Sequence, residues 1–264
     1  MLGPDLAGLL TVLVGARMPL LVAAGPRGTG KTTLLETLLE SLPGEVSVRE
    51  LAGYAEDFEW LPEAARLGWR PHGFRGITSG RPLPSVGHVG RPIDPDSTYL
   101  LVPEFSDHLP SYTWGEQARI AIRALSLGYG LGGTIHAESL EEVLAALGSP
   151  LVGLTGDELS RLGVVLILRV VRLPATGEPV RRVVAAHYVR PVARDAGGHI
   201  QRLDPAVLAT WEPAGDRFED FSWGVTAELA ERAGRSVADF SAAVERRTAE
   251  FAVIAGHRPG THLR

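Results

Sequence analysis

The sequence has no cysteine. Disulfides, thiolate metal sites and cysteine nucleophiles are therefore excluded, and the chain is compatible with a reducing compartment. It also lacks the basic stripe of a dedicated DNA-binding surface: the net charge is −5, with arginine far outnumbering lysine. The longest basic cluster, RVVRLPATGEPVRRV at 169–183, is broken by apolar residues and reads as the solvated face of a hairpin. A long apolar run is missing too. LAGLLTVLVGARMPLLVAAG carries no basic residue ahead of it, and Arg17 and Pro19 interrupt it well short of the ~20 residues a membrane span needs. It predicts a helix over about 5–16 followed by a buried strand over about 19–24, in a cytoplasmic protein. Repeats and low-complexity tracts are absent, since the doubled GRP at 80–82 and 90–92 is too short to count. There is no G-x-S-x-G, and His72, His88, His108, His187, His199, His257 and His262 show no H-E-x-x-H spacing.

The 264 residues, 45% apolar and 22% charged, suffice for one large domain or a medium one with an appendage. Gly25-Pro26-Arg27-Gly28-Thr29-Gly30-Lys31-Thr32 matches the phosphate-loop pattern G-x-x-x-x-G-K-[ST] at every position, with Thr33 following. The context agrees. PLLVAA is a short apolar run ending at the loop, and KTTLLETLLESL sets Leu34, Leu35, Leu38, Leu39 and Leu42 on one helical face before Pro43-Gly44. Gly28 and Gly30 allow backbone N–H groups to turn inward around phosphates, and the helix N-terminus adds partial positive charge. Lys31 is expected to neutralise the β- and γ-phosphates of ATP, and the Thr32 hydroxyl to ligate Mg²⁺.

Further along, STYLLVPEFSD (97–107) is an apolar strand ending in Glu104, placed to hold Mg²⁺ or polarise water; Asp107 reads as a loop residue. Thr134-Ile135-His136-Ala137 closes another strand. In a doubly wound sheet its end faces the same crevice as the phosphate loop. Ser139 with Glu142, Thr113 with Glu116 and Thr155 with Glu158 read as capping boxes. VVLIL reads as a strand covered on both faces, and Val237, Phe240, Val244, Phe251 and Ile254 as a helical stripe. The five tryptophans read as core or interface anchors.

The ordered set GPRGTGKTT, VSVRE, YLLVPE, ALSLGYG and GTIHAES resembles the type II/type IV secretion ATPase superfamily, the motors of secretion systems, type IV and tight-adherence pili and the archaellum. The likeness extends through VVLILRVVRLPATGEPVRRVVAAHYVRPV, with Arg181-Arg182, into the helical tail. It implies a RecA-like α/β fold, a parallel sheet flanked by helices, with a β-hairpin addition and a helical C-terminal tail. Residues 1–215 would form the ATPase domain and 216–264 a helical extension packed on it. The resemblance implies that Glu50 matches an acidic box, Glu104 the catalytic Walker B glutamate that also serves the metal, and His136 a histidine that relays the presence of γ-phosphate. The plainer reading of Glu50 is an exposed carboxylate after an edge strand.

Three departures stand out. Pro103 replaces the Walker B glycine, Leu51 replaces a second acid, and only about 24 residues precede the loop where the family has an N-terminal domain. The chain thus looks like the motor half alone, with a separate protein or a neighbouring copy completing the site. Arg70, Arg75, Arg81 and Arg91 lie in a Gly/Pro-rich segment, and Arg81 or Arg91 is the candidate arginine finger. The function expected is an ATP-hydrolysing motor powering filament assembly or secretion. It would form a hexameric ring at the inner face of the membrane, through a membrane platform protein and without direct nucleic-acid contact. A weakly hydrolysing regulatory subunit and a phosphate-loop kinase are the alternatives.

Overall fold

The computed structural model describes residues 1–25, 28–70, 93–195 and 197–256. Pro26, Arg27 and the candidate fingers Arg81 and Arg91 lie outside the described residues. The chain runs α1 (Pro4–Gly15), β1 (Leu20–Ala23), α2 (Lys31–Leu39), β2 (Ser47–Glu50), β3 (Thr98–Phe105), α3 (Gly115–Arg123), β4 (Gly130–Ile135), α4 (Leu140–Leu147) and α5 (Gly156–Leu159). It continues through β5 (Gly163–Arg172), β6 (Pro179–Val189), β7 (Ala193–Arg194), β8 (Ile200–Gln201), β9 (Ala206–Glu212), β10 (Arg217–Asp220), α6 (Thr226–Arg232) and α7 (Val237–Gly256).

An eight-stranded sheet carries the fold, in the order β10-β9-β6-β5-β1-β4-β3-β2. The strands from β5 to β2 in that order pair parallel, and β6, β9 and β10 add on antiparallel. Parallel strands covered by helices on both faces are uniformly apolar, as in LLVA of β1, where every residue is buried. The predicted α/β fold is observed, hairpin included: β5 is buried over its first six residues, then emerges as the solvated RVVR. β10 falls beyond residue 215 yet pairs with β9, so the sheet reaches into the C-terminal segment.

The position of β4 matters most. It lies between β1, which leads into the phosphate loop, and β3, which carries Glu104. Its glycines make that neighbourhood possible: a Cβ on Gly130 would overlap the buried Tyr99 ring, and one on Gly133 would sit 2.7 Å from Phe105.

Burial outweighs local signals in the helices. α1 has no side-chain N-cap, forgoing about 1 kcal/mol. It buries Leu6, Leu9, Leu10 and Leu13, each worth roughly 2 kcal/mol, against α2, α7 and one face of the sheet. At the tail, Phe240 and Ala243 are buried, whereas Val237 and Ile254 of the expected stripe are exposed. The contact of α7 with α1 is made close by Gly8, where any Cβ would meet Thr248.

Capping came out differently at each of three places. Thr155 and Glu158 form a full box. Ser139 accepts from the Glu142 N–H, but the Glu142 carboxylate takes the N–H of Glu138 rather than that of Ser139. The box expected at Thr113 is absent: α3 starts at Gly115 behind an extended Trp114, and the Thr113 hydroxyl has no hydrogen-bond partner among the described residues. Thr113 is used as strand instead, its N–H donating to the Glu104 carbonyl and its own carbonyl accepting from Ser106. Pairing beside β3 overrode the local cap.

Two polar clamps shape the remainder. The buried Glu56 carboxylate accepts from Ala52 N–H (3.0 Å), Phe58 N–H (3.1 Å) and Trp60 Nε1 (2.8 Å), organising the irregular stretch after β2. On the hairpin, Arg182 grips Asp216 with two bonds of 2.7 and 2.6 Å, and Trp211 Nε1 adds a third at 2.8 Å. The Arg182 hydrogen bonds hold the Asp216 carboxyl below the usual carboxylate range.

Replacing Glu56→Ala strands buried donors and is expected to lower unfolding free energy by about 2–4 kcal/mol in urea titrations. For Asp216 the unfolded chain binds its proton more tightly than the folded one. Its stabilisation is therefore full above the unfolded pKa of about 4 and is lost as pH falls through the lower folded value. Stability measured from pH 6 to pH 2.5 should fall less steeply in Asp216→Asn than in the natural chain.

Candidate functional site

The site is assembled where the parallel strands end. β1 leads into the phosphate loop, in which Gly28 (φ 76) and Gly30 (φ 96) take left-handed conformations that residues with a Cβ rarely adopt. Gly30 is also the N-cap of α2 and offers no side-chain cap. The first turn of that helix thus points its partial positive charge into the cleft. Lys31 opens the helix and is only 7% exposed. It is the one lysine in the chain.

Glu104 sits at the end of β3 and is 8% exposed. Its Oε2 accepts from the Thr134 hydroxyl at 2.8 Å, across the β3–β4 boundary. Its Oε1 is buried without a hydrogen-bond partner among the described residues. That oxygen lies 3.7 Å from Lys31 Nζ and 3.7 Å from His136 Nε2. These separations are too long for direct hydrogen bonds but within ion-pair range.

Pro103 has a structural place here. The β3–β4 register shifts between Val102 and Phe105, and a residue without an N–H is tolerated at such a bulge. Its carbonyl also faces the Thr134 hydroxyl, whose single hydrogen is shared between the bulge carbonyl and the Glu104 carboxylate. Thr113 closes the other side through the Glu104 carbonyl. The backbone and side chain of Glu104 are thus fixed independently.

His136 follows β4. Its Nδ1 lies 2.8 Å from the Gly25 carbonyl, which can only accept, so Nδ1 carries the hydrogen. In the neutral ring Nε2 is then an acceptor facing the cleft beside Glu104. The histidine links the start of the phosphate loop to the carboxylate.

The cleft, about 550 Å³, is lined by Gly28, Thr29, Gly30, Lys31, Thr32, Thr33, Glu104 and His136, together with Met1, Tyr112 and Arg181. Residues spread from Met1 to Arg181 along the sequence therefore meet in one place. Thr29 is buried with its hydroxyl unpartnered among the described residues, while Thr32 and Thr33 are exposed to the cleft. Glu50 is elsewhere: it is exposed at the end of edge strand β2, opposite Leu101, and does not line the cleft.

Sequence reasoning set Thr134 with His136 at the strand end facing the crevice, two positions apart and so on the same side of the strand. It missed Tyr112 and Arg181. Arg181 was not recoverable, since its neighbour Arg182 is chemically identical and only the register of β6 separates them. Arg181 Nη2 donates to the Gly28 carbonyl at 3.3 Å, bringing the hairpin to the phosphate loop. Among the described residues, no three His, Asp or Glu side chains cluster as a metal site. No helix among them is long and apolar enough to cross a membrane.

No protein-family description matches the sequence, and no curated protein is recognisably similar. Among solved structures the chain is similar to the VirB11 ATPase of the Brucella suis type IV secretion system, in complex with sulphate. The identity is 18% and the TM-score 0.39, over 67% of this chain and 52% of that one. It is also similar to the Legionella pneumophila ATPase DotB, at 14% identity and a TM-score of 0.36, over 64% of this chain and 46% of that one. The matched region spans about half the length of each of these two ATPases.

Proposed function

We propose that this chain binds ATP in the cleft and hydrolyses it, as a motor subunit of the secretion or type IV pilus kind. The observation that carries this reading is the Glu104 carboxylate. It is buried, tied by one oxygen to Thr134, and presents the other without a hydrogen bond between the phosphate-loop lysine and His136.

An acid in that position can orient water and accept its proton as the terminal phosphoryl group is attacked. Thr134 keeps the carboxylate from rotating away. Lys31 and the loop amides gather negative charge, with Gly28 and Gly30 providing backbone that closes on phosphate oxygens. His136, anchored on the Gly25 carbonyl, is placed to report whether a γ-phosphate is there. The hydrogen-bond distances around Glu104 favour a hydrolase over a kinase, because the acid is buried beside the loop rather than offered to an acceptor site.

Mg²⁺ fits the donor set. The Thr32 hydroxyl and the unsatisfied Glu104 Oε1 are hard oxygen donors in one cleft, suited to a magnesium ion that keeps several waters. When bound it would supply neutralisation of charge on the β- and γ-phosphate oxygens.

The remaining parts of the reading are assembly and setting. A ring of copies, a hexamer by the family resemblance, would work at the inner face of the membrane against a platform protein. An arginine finger would come from a neighbouring copy, from a separate protein or from this chain, with Arg81 and Arg91 the in-chain candidates. Glu50 would belong to the acidic box reaching the site in that assembly.

Because Lys31 is the chain's one lysine, an acyl-phosphate derivative of ATP provides a direct test. Peptide mapping should find the acyl group on Lys31, and excess Mg·ATP should suppress it. Labelling that ATP does not protect would contradict the reading. Lys31→Ala is expected to reduce ATP turnover at least about a hundredfold, and turnover equal to the natural chain would equally contradict it.

A further inference from the structure

The sheet order fixes which way a nucleotide lies. Glu104 ends β3 and His136 follows β4, both on one side of the phosphate loop. Arg181 stands on β6, beyond β5, on the other side. A triphosphate whose terminal phosphate sits in the cleft beside Lys31, on the Glu104 side of the loop, would extend its nucleoside towards the hairpin.

Alternation along β6 directs the two arginines oppositely. Arg182 is committed to Asp216 by its bidentate pair. Arg181 lines the cleft and is held at its tip by the Gly28 carbonyl. Its Cδ and Nε lie 3.4 and 3.7 Å from the point where a Gly30 Cβ would be, and the Met1 methyl lies 2.9 Å from the same point. A guanidinium plane and a thioether thus flank the outer side of Gly30, next to the exposed Thr33. Both groups make favourable contacts with aromatic faces.

We infer that Arg181, with Met1 beside it, forms the seat of the purine base. The inference rests on the ATP-binding reading and deepens it. The seat grips the base through its π-face rather than by reading its edge, so ATP and GTP bind with affinities within about threefold of each other. Arg181 acts by positioning the nucleoside and takes no part in the chemistry.

Titration calorimetry of Mg·ATP, Mg·GTP and inorganic Mg·tripolyphosphate separates the possibilities. Arg181→Ala should weaken ATP and GTP together by about tenfold, while tripolyphosphate stays within twofold. Steady-state turnover should show a raised KM with kcat nearly unchanged, the pattern of lost uniform binding. Arg181→Lys keeps a donor for the Gly28 carbonyl but not the plane, and should also bind ATP more weakly than the natural chain. Unchanged nucleotide affinity in Arg181→Ala, an equal loss for tripolyphosphate, or full rescue by lysine would each overturn the inference. A natural chain that binds tripolyphosphate as tightly as ATP would overturn it too, while leaving the phosphate site standing. A natural chain that binds neither would defeat the ATP-binding reading itself.

Discussion

The hydrogen bond from the Thr134 hydroxyl to Glu104 Oε2 is the contact on which the site depends. A buried carboxylate is costly unless its charge is met. Here one oxygen is met by Thr134, and the other faces Lys31 and His136 at ion-pair distance. The bond can form only because β4 is inserted between β1 and β3. The glycines of β4 permit that insertion by letting Tyr99 and Phe105 lie against the strand. Strand order, strand composition and site chemistry are thus one constraint seen at three scales.

Around that contact the cleft is held from several directions by separate devices. Thr113 fixes the Glu104 backbone, the Gly25 carbonyl fixes His136, and the Arg182–Asp216–Trp211 cluster fixes the hairpin that carries Arg181. The Gly25–His136 and Arg182–Asp216 bonds tie distant parts of the chain, while Thr113 and Trp211 reach partners nearby in sequence. The scaffold beneath is apolar on both faces of the sheet, so the polar groups are concentrated at the strand ends.

Much of this was legible in the sequence, and what failed did so for physical reasons. The phosphate loop and its helix are local, carried by contiguous residues whose conformational demands are specific, and they were readable directly. The strands ending in Glu104 and His136 were legible as apolar runs with a polar terminus. Thr113 misled because a local cap pattern lost to strand pairing, a contact ranked by tertiary structure alone. Glu56 was silent because a single acid in an irregular stretch gives no periodic signal. Choosing between Arg181 and Arg182 required the register of β6, and sequence alone does not fix register in a strand half-exposed at its outer end.

The most direct test of the account compares binding and turnover in Glu104→Gln. The glutamine keeps the size of the side chain and an acceptor for Thr134, but loses the base. ATP affinity within about threefold of the natural chain, with turnover reduced at least about a hundredfold, is the result the account predicts. Turnover at the natural rate in Glu104→Gln would contradict it.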